Sequence, residues 1–503
     1  MDLRRKEDGI FLYIINIDYL LQIISHLCPA RTELSIFHIL IPDLRSIMDI
    51  TEELRKIVGG RLSVSPSELY CYSSDASQVK GMPDYVVRPK STDEVSRIVR
   101  LAYENEIPLT ARGAGTGLAG GAVPVSGGIV LDMSGMNRIL EVDIDNIQVV
   151  VEPGIIQDAL NEALKPYGFF FPPNPGSSAM CTIGGMIAYN ASGMRCVKYG
   201  TTRNYVRDLE VVLADGTVIH TGSKMLKSAA GYDLTQLIIG SEGTLGIVTR
   251  ASLKIVPLPK TRKLVLASFK SAEIAGQAVV KTFSNGVIPS ACEILDRVSL
   301  QVLKRYDPKL VFPSEGDVIL FEVDGTENSA HEAAEQIIEV CSPLSLSIKL
   351  AESEKEMADI WAARKLVGAA VSRLDPTKTR IYVGEDVGVP IKKIPELLRK
   401  AQEISEKFNL PAMKYGHIGD GNLHLALFID VLNKDEWDRL KQAADLVHRT
   451  AIELGGTVSS EHGVGAARAE YMEAQWGPAL EVMRAIKKAL DPKGILNPGK
   501  LGL

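Results

Sequence analysis

Apolar and polar positions fall into two regimes along the chain. Between Leu54 and Pro259 short apolar runs are separated by glycine- and proline-rich stretches. Tyr85-Val-Val-Arg-Pro reads as a strand, and Ser91-Thr-Asp-Glu94 as a capping box opening a helix to about Glu106. Ile107 to Ala111 reads as a strand leading into Arg112-Gly-Ala-Gly-Thr-Gly-Leu-Ala-Gly-Gly121, with further strands at Ile129–Met133 and Ile147–Glu152. Ile155–Leu164 has the periodicity of an amphipathic helix. Leu209–Leu213 and Thr217–Thr221 flank Asp215-Gly216, a hairpin signal. Thr182–Gly193 is rich in small residues, which suits backbone lying close to a ligand. Val256-Pro-Leu-Pro259 marks a boundary.

Beyond it strands and helices alternate. Strands at 264–269, 290–295, 318–323 and 344–350, with helices at 272–283 and 331–341, give the order β-α-β-β-α-β of a ferredoxin-like unit. A helix over 354–372, a strand over 380–383 and helices over 391–408 and 434–454 come next. The tail carries Ser459-Ser-Glu-His-Gly-Val-Gly465, two helices and Gly494-Ile-Leu-Asn-Pro-Gly-Lys500.

Between the last two long helices lies Lys414-Tyr-Gly-His-Ile-Gly-Asp-Gly-Asn-Leu-His-Leu, a strand, a tight turn and a second strand. A two-residue turn on Asp420-Gly421 pairs Gly419 with Asn422, Ile418 with Leu423 and His417 with His424. Opposed residues share a sheet face about 4.5–5.5 Å apart between Cβ atoms, so the two imidazoles are able to grip one metal ion. Glu461 is the candidate third ligand, since a catalytic divalent ion favours imidazoles plus a carboxylate and open positions. His462 follows it. In extended chain the two side chains point oppositely, one to the metal and one to substrate. Asp420 reads as a turn former, and Asn422 as a substrate-contact candidate beside the site.

Composition narrows the class. With 503 residues, two to four domains are expected. The 46% hydrophobic and 23% charged content is that of a globular protein, and the net charge of −6 gives no reason to expect nucleic acid. Six scattered cysteines without a C-x-x-C pair argue against iron–sulfur ligation and fit reduced thiols in a cytoplasmic protein. Residues 1–47 read as an extension, an extra helix or a non-native start with Met48 as the natural beginning. Ile10–Ile24 is apolar but short for a span, which leaves peripheral membrane attachment as the alternative.

Gly115, Gly117 and Gly120 match G-x-G-x-x-G, but no helix follows, as a Rossmann site requires. A glycine loop can still hold pyrophosphate through its backbone N–H groups. Arg112-Gly-Ala-Gly-Thr-Gly, Pro175-Gly-Ser-Ser, Thr182-Ile-Gly-Gly, Gly240-Ser-Glu-Gly-Thr-Leu-Gly-Ile, Gly416-His-Ile-Gly-Asp-Gly-Asn-Leu-His and Ser460-Glu-His-Gly together resemble the FAD-linked oxidases. The resemblance is to the vanillyl-alcohol oxidase and p-cresol methylhydroxylase superfamily, in the branch of D-lactate dehydrogenases, glycolate oxidase flavin subunits and D-2-hydroxyglutarate dehydrogenases. It covers roughly Ile50 to the C-terminus.

The resemblance implies an α+β fold: a two-lobed PCMH-type FAD-binding domain (48–258), an α+β cap with the ferredoxin-like unit and the substrate and metal groups (259–458), and a segment (459–503) returning to the FAD domain. It implies Arg112, Gly113, Ala114, Gly115, Thr116, Gly117 and Leu118 around the pyrophosphate. Pro175, Gly176, Ser177, Thr182, Gly185 and Ser192 would line the flavin. Glu242, Gly243 and Ile247 would hold the ribityl–adenine side, and Asn497 would approach the ring. No histidine lies in Arg112–Gly121, so FAD is expected to be non-covalent. His417, His424 and Glu461 would be ligands of zinc, manganese or iron, His462 the base and Arg364 the carboxylate-binding arginine.

The expected activity is oxidation of a short D-2-hydroxy acid, D-lactate or glycolate, with hydride transfer to flavin N5. Relatives acting on 2-hydroxyglutarate place a lysine near the strand at Tyr382, where this chain has Glu385 and Asp386. That acidic run argues for a short substrate. The rivals are D-2-hydroxyglutarate dehydrogenase, a redox-neutral transferase like alkylglycerone-phosphate synthase, and a non-catalytic flavin subunit. Electrons would leave to a quinone, a flavoprotein, a cytochrome or an iron–sulfur subunit, and a homodimer is left open.

Overall fold

The computed structural model describes residues 49–503, apart from 310, 311, 314, 352, 371–374, 376, 382 and 383. The expected extension 1–47, and Tyr382 and Val383 of the expected 380–383 strand, lie outside the described residues. The chain divides into a unit up to Lys56, helical over 49–56, and a unit from Ile57 to Leu503. Among the described residues, every strand belongs to the second unit.

The first sheet of that unit has β1 (Leu62–Ser63), β2 (Tyr85–Val87), β3 (Leu109–Arg112) and β4 (Ile129–Asp132) in the order β1-β2-β4-β3. β2, β4 and β3 run parallel, because the Thr92–Glu104 helix carries the chain across from β2 to β3. Val95, Ile98, Val99 and Ala102 form that helix's buried stripe, at the spacing of one helical face. Half of the expected capping box forms. Ser91 Oγ accepts the Glu94 N–H (3.3 Å), but the Glu94 carboxylate takes the Lys90 N–H (2.7 Å) and Arg61 instead.

The second sheet is antiparallel, with β5 (Ile139–Asp143), β6 (Gln148–Val151), β8 (Val206–Val212), β9 (Val218–His220) and β10 (Ile247–Lys254) in the order β5-β6-β10-β8-β9, while β7 (Phe169–Phe170) pairs with β11 (Val256–Pro257). The small-residue stretch holds a helix the sequence did not announce, Ile183–Tyr189. Thr182 is its N-cap, accepting the Gly185 N–H, and Ile183, Met186 and Ile187 are buried.

The third sheet has β12 (Thr261–Phe269), β13 (Ala291–Leu295), β14 (Asp317–Gly325), β15 (Ser345–Leu350), β16 (Thr379–Ile381), β17 (Val387–Gly388), β18 (Ala412–Gly416) and β19 (Asn422–Ile429). Its order is β15-β12-β14-β13-β18-β19-β16, with β17 paired to β19. The first four strands stand in the antiparallel order 4-1-3-2 of a ferredoxin-like unit. Alternation along β12 explains the layers. Val265, Ala267 and Phe269 pack under the Ala272–Ser284 and Glu327–Cys341 helices, whereas Leu264 and Leu266 face a second core with Leu300, Leu303, Met357 and Ile360. The Arg297–Tyr306 helix in that second core was not expected. The helix expected over 354–372 ends at Lys365, with a short turn Val367–Ala370 after it; residues 371–374 lie outside the described set.

Candidate active site

β13 neighbours β18, with Ile294 opposite Gly416 and Leu295 opposite Tyr415. β18 and β19 form the histidine hairpin, but not in the register counted from the sequence. Tyr415, not His417, faces His424, and Asn422 pairs with Gly388 on β17. A two-residue type I′ turn needs positive φ at both central residues. Here only Gly421 has it (φ 87°), Ile418–Asp420 forms a 3-10 turn, and the loop lengthens to put His417 at its start. The imidazoles still converge, with His417 and His424 rings 5.4 Å apart. Gly416 permits this, since a Cβ there would stand 3.1 Å from His424 Cδ2.

The register also places Glu293 of β13 beside His417. The two are bonded, His417 Nδ1 to Glu293 Oε1 at 2.5 Å, with Glu293 wholly buried. His417 Nε2 then points at Glu461 Oε2 (3.4 Å). Glu461 Oε1 lies 3.5 Å from His424 Nε2 and 3.4 Å from His462 Nε2, and the His424 and His462 rings stack 5.2 Å apart.

Asp386 builds the loop that presents Glu461 and His462. Its carboxylate accepts the Ser459 hydroxyl (2.7 Å), the backbone N–H groups of Ser460 (3.1 Å), Glu461 (3.1 Å) and His462 (2.8 Å), and the Asn422 side-chain amide (2.9 Å). Asp386, His424, Glu461 and His462 offer ligand atoms within 4.8 Å of one another. Asp386 is nonetheless a poor cation ligand, because both its oxygens are already filled by N–H and O–H donors.

Donors 3.4–3.5 Å apart are too distant for good hydrogen bonds. They match the edge of a tetrahedron around a metal with bonds of about 2.0–2.1 Å. His417 has the carboxylate partner on its second nitrogen that metal-binding imidazoles commonly have, whereas His424 Nδ1 has none among the described residues. The cluster therefore fits a divalent cation held by nitrogen and oxygen.

Burial opposes charge throughout the cluster, and the neighbours decide each outcome. On His417 burial is outweighed by the Glu293 and Glu461 carboxylates, which hold the ring well above its ordinary range. His462 is likewise raised despite burial, by Asp386 and Glu461. Burial drives His424 well below its ordinary value, only partly opposed by Glu461. Glu461 stays well below the usual carboxylate range, because His417 and His462 overcome its burial.

The cluster closes one end of a cavity of about 450 Å³. Its walls include every residue from Arg112 to Leu118, Pro175, Gly176, Ser177, Thr182, Gly185, Ser192, Glu242, Gly243, Ile247, Arg364, His417, His424, Glu461 and His462. Arg112 pins the glycine loop by donating to the Ser74 (2.9 Å) and Ala122 (3.3 Å) carbonyls. Gly113 is required by close approach, since a Cβ there would stand 2.1 Å from Thr182 Oγ1. This side-chain-free wall suits a pyrophosphate and its attached rings. Ser192 Oγ, 3.5 Å from Glu461 Oε2, joins that wall to the imidazole end.

Three expectations are corrected. Asn422 does not line the cavity; its amide donates to Asp386 and to the Val387 carbonyl (3.3 Å). Asn497 does not reach it either. Its buried amide donates to the Gly121 (2.8 Å) and Glu242 (2.7 Å) carbonyls and so buttresses the wall from behind. Third, Glu385 and Asp386 do not make the site acidic. Glu385 is paired twice with Arg380 (2.7 and 2.6 Å) and Asp386 is filled by its donors, so neither argues for substrate length. The sequence reading also missed Glu293, Arg380, Tyr189 and Tyr415. A carboxylate inside the apolar strand Ala291–Leu295 was the available signal for Glu293, since buried charges are paired.

Comparison with known proteins agrees with this architecture. Residues 83–222 match the family described as "FAD binding domain" and residues 258–501 the family "FAD linked oxidases, C-terminal domain". The chain is 41% identical over 458 residues to glycolate oxidase subunit GlcD of Bacillus subtilis (strain 168), covering 90% of this chain and 96% of that protein. It is 34% identical over 470 residues to D-lactate dehydrogenase of Anaerostipes hadrus, covering 90% and 97%. Two solved structures share the fold: 4-ethylphenol oxidase from Gulosibacter chungangensis (TM-score 0.74, 20% identity, 91% and 97% covered) and p-cresol methylhydroxylase (TM-score 0.73, 18% identity, 90% and 96% covered). The chain belongs to the FAD-linked oxidases and is a flavin-linked oxidoreductase with the two-domain, PCMH-type FAD-binding fold. Among the described residues no helix is long and apolar enough to cross a membrane.

Proposed function

We propose that the protein oxidises a short D-2-hydroxy acid, D-lactate or glycolate, to the 2-oxo acid. The carrying observation is Glu461 with three imidazole nitrogens at 3.4–3.5 Å, closing the same cavity that the glycine loop opens. The choice of a short acid follows the names of the relatives, a glycolate oxidase subunit and a D-lactate dehydrogenase. In this reading residues 48–258 bind FAD, 259–458 carry the substrate groups, and 459–503 return to the FAD side.

Bound FAD would accept the Cα hydride at N5, and a divalent cation (zinc, manganese or iron) would polarise the substrate hydroxyl and carboxylate. His417, His424 and Glu461 would hold the cation. His462 takes the hydroxyl proton, its ring on the cavity wall with Asp386 Oδ2 3.7 Å behind Nδ1. Arg364 binds the substrate carboxylate from the cavity wall, its guanidinium 5.1 Å from the Tyr415 ring centroid. Arg112–Leu118 cradle the pyrophosphate through backbone N–H groups, and Pro175–Ser177, Thr182, Gly185 and Ser192 line the ring. Electrons would then pass to a quinone, a flavoprotein, a cytochrome or an iron–sulfur subunit; the Bacillus relative is itself named as a subunit.

Anaerobic flavin bleaching by a panel of D- and L-2-hydroxy acids, with and without chelator, tests this. D-lactate or glycolate should bleach the flavin, and the chelator should slow it. If neither glycolate nor any D-2-hydroxy acid reduces the metal-loaded protein, the proposal fails. The redox-neutral transferase reading predicts that same blank result.

A further inference from the structure

We infer that Glu293 is a positioning residue that couples the cation-binding end of the site to its carboxylate-binding end. The inference rests on the proposed hydroxy-acid oxidation and deepens it. One wholly buried carboxylate divides its two oxygens between two functional side chains. Oε1 bonds His417 Nδ1 at 2.5 Å, and Oε2 accepts both Arg364 Nε (2.9 Å) and Arg364 Nη2 (2.6 Å). His417 and Arg364 come from distant parts of the chain, a hairpin loop and the last turn of the Glu354–Lys365 helix. Among the described residues, Glu293 bonds to both.

The geometry has two consequences. An acceptor at Nδ1 fixes a proton on that nitrogen and leaves Nε2, 3.4 Å from Glu461 Oε2, as the nitrogen a cation would take, the tautomer a metal ligand needs. The same carboxylate holds the guanidinium by one edge, which sets the direction of its remaining donors. Glu293 sits one residue beyond the Ile294–Gly416 pair of β13 and β18, which brings it alongside the start of the loop that carries His417. Its charge faces one guanidinium and one imidazole, which accounts for a full carboxylate at a position with no exposed surface.

Glu293→Gln tests the coupling. Manganese affinity of the FAD-loaded protein, by chelator competition, should fall roughly 10–100-fold. KM for D-lactate at saturating manganese should rise by a similar factor, more than kcat falls, because Arg364 loses its anchor. Glu293→Asp, which keeps the charge but is one methylene shorter, should recover one of the two effects and not both. In Glu293→Gln, loss of metal affinity with an unchanged KM, or the reverse, would overturn the coupling. So would a variant matching wild type in both.

Should Glu293→Gln fail to hold FAD, the decision passes to wild type. In ¹⁵N-histidine spectra of the zinc-loaded protein, His417 should show a protonated Nδ1 and a non-protonated Nε2; the opposite tautomer overturns the inference. A wild type that binds manganese but is not bleached by glycolate or any D-2-hydroxy acid defeats the functional reading instead. The manganese and tautomer measurements would still judge Glu293's hold on His417.

Discussion

Replacing Asp386 with Asn should disable the site without removing any group proposed to touch substrate. Oδ2 of Asp386 accepts from Ser459 Oγ and from the N–H groups of Ser460, Glu461 and His462, while Oδ1 accepts from Asn422 and again from Glu461. An amide turns one oxygen into a donor. The less harmful orientation points that NH₂ at the Asn422 amide and the Glu461 N–H, so two bonds to a charged acceptor become donor–donor contacts. At about 1.5–3 kcal/mol per charge-assisted bond the local cost is about 3–6 kcal/mol. Rotation of the Asn422 amide recovers one bond and gives up the one to the Val387 carbonyl, which favours the lower end. About 3 kcal/mol shifts the equilibrium constant for ordering the loop roughly a hundredfold. The expected outcome is kcat/KM for D-lactate, by dye reduction, down at least about a hundredfold, with weaker metal retention and flavin content close to wild type. A variant within about threefold of wild type in kcat/KM, with metal bound, would refute the idea that this carboxylate holds Ser459–His462.

Three further outcomes are expected. His424→Ala should lose bound cation by metal analysis and lower kcat/KM by roughly a hundredfold or more, with FAD retained. Gly113→Ala should lose FAD on gel filtration, because the new methyl meets Thr182 Oγ1, the N-cap of the Ile183–Tyr189 helix. Glu242 makes stability depend on pH: burial lifts its carboxyl to about 7, against backbone donors at Val464 and Gly465. Its pKa is higher folded than unfolded, so its contribution is complete below about 4.5 and is lost as pH rises through about 7, at most about 3 kcal/mol. Urea midpoints of the flavin-free protein across that window should flatten in Glu242→Gln; an unchanged slope would refute this.

Local signals carried much of the fold. The alternating strand-like and helix-like runs over 264–350 mark the ferredoxin-like unit, because period is a property of a few neighbouring residues. The glycine loop was legible for a similar reason: five glycines in nine residues leave little but a ligand-facing wall. The hairpin register was not, since Asp-Gly is compatible with both a two-residue turn and the longer loop with Gly421 alone at positive φ. Asp386 looked like substrate-facing acidity because its five donors come from Asn422 and Ser459–His462, residues that only tertiary packing brings near. Glu293 meets His417 across 124 residues through a strand pairing that no local pattern specifies.

The bond from Asn497 to Gly121 joins residues 376 positions apart. Translation at roughly 5–20 residues per second separates their emergence by roughly 20–75 s. During that interval the nascent glycine loop stands without its brace, so tight flavin capture belongs to a late stage of biogenesis.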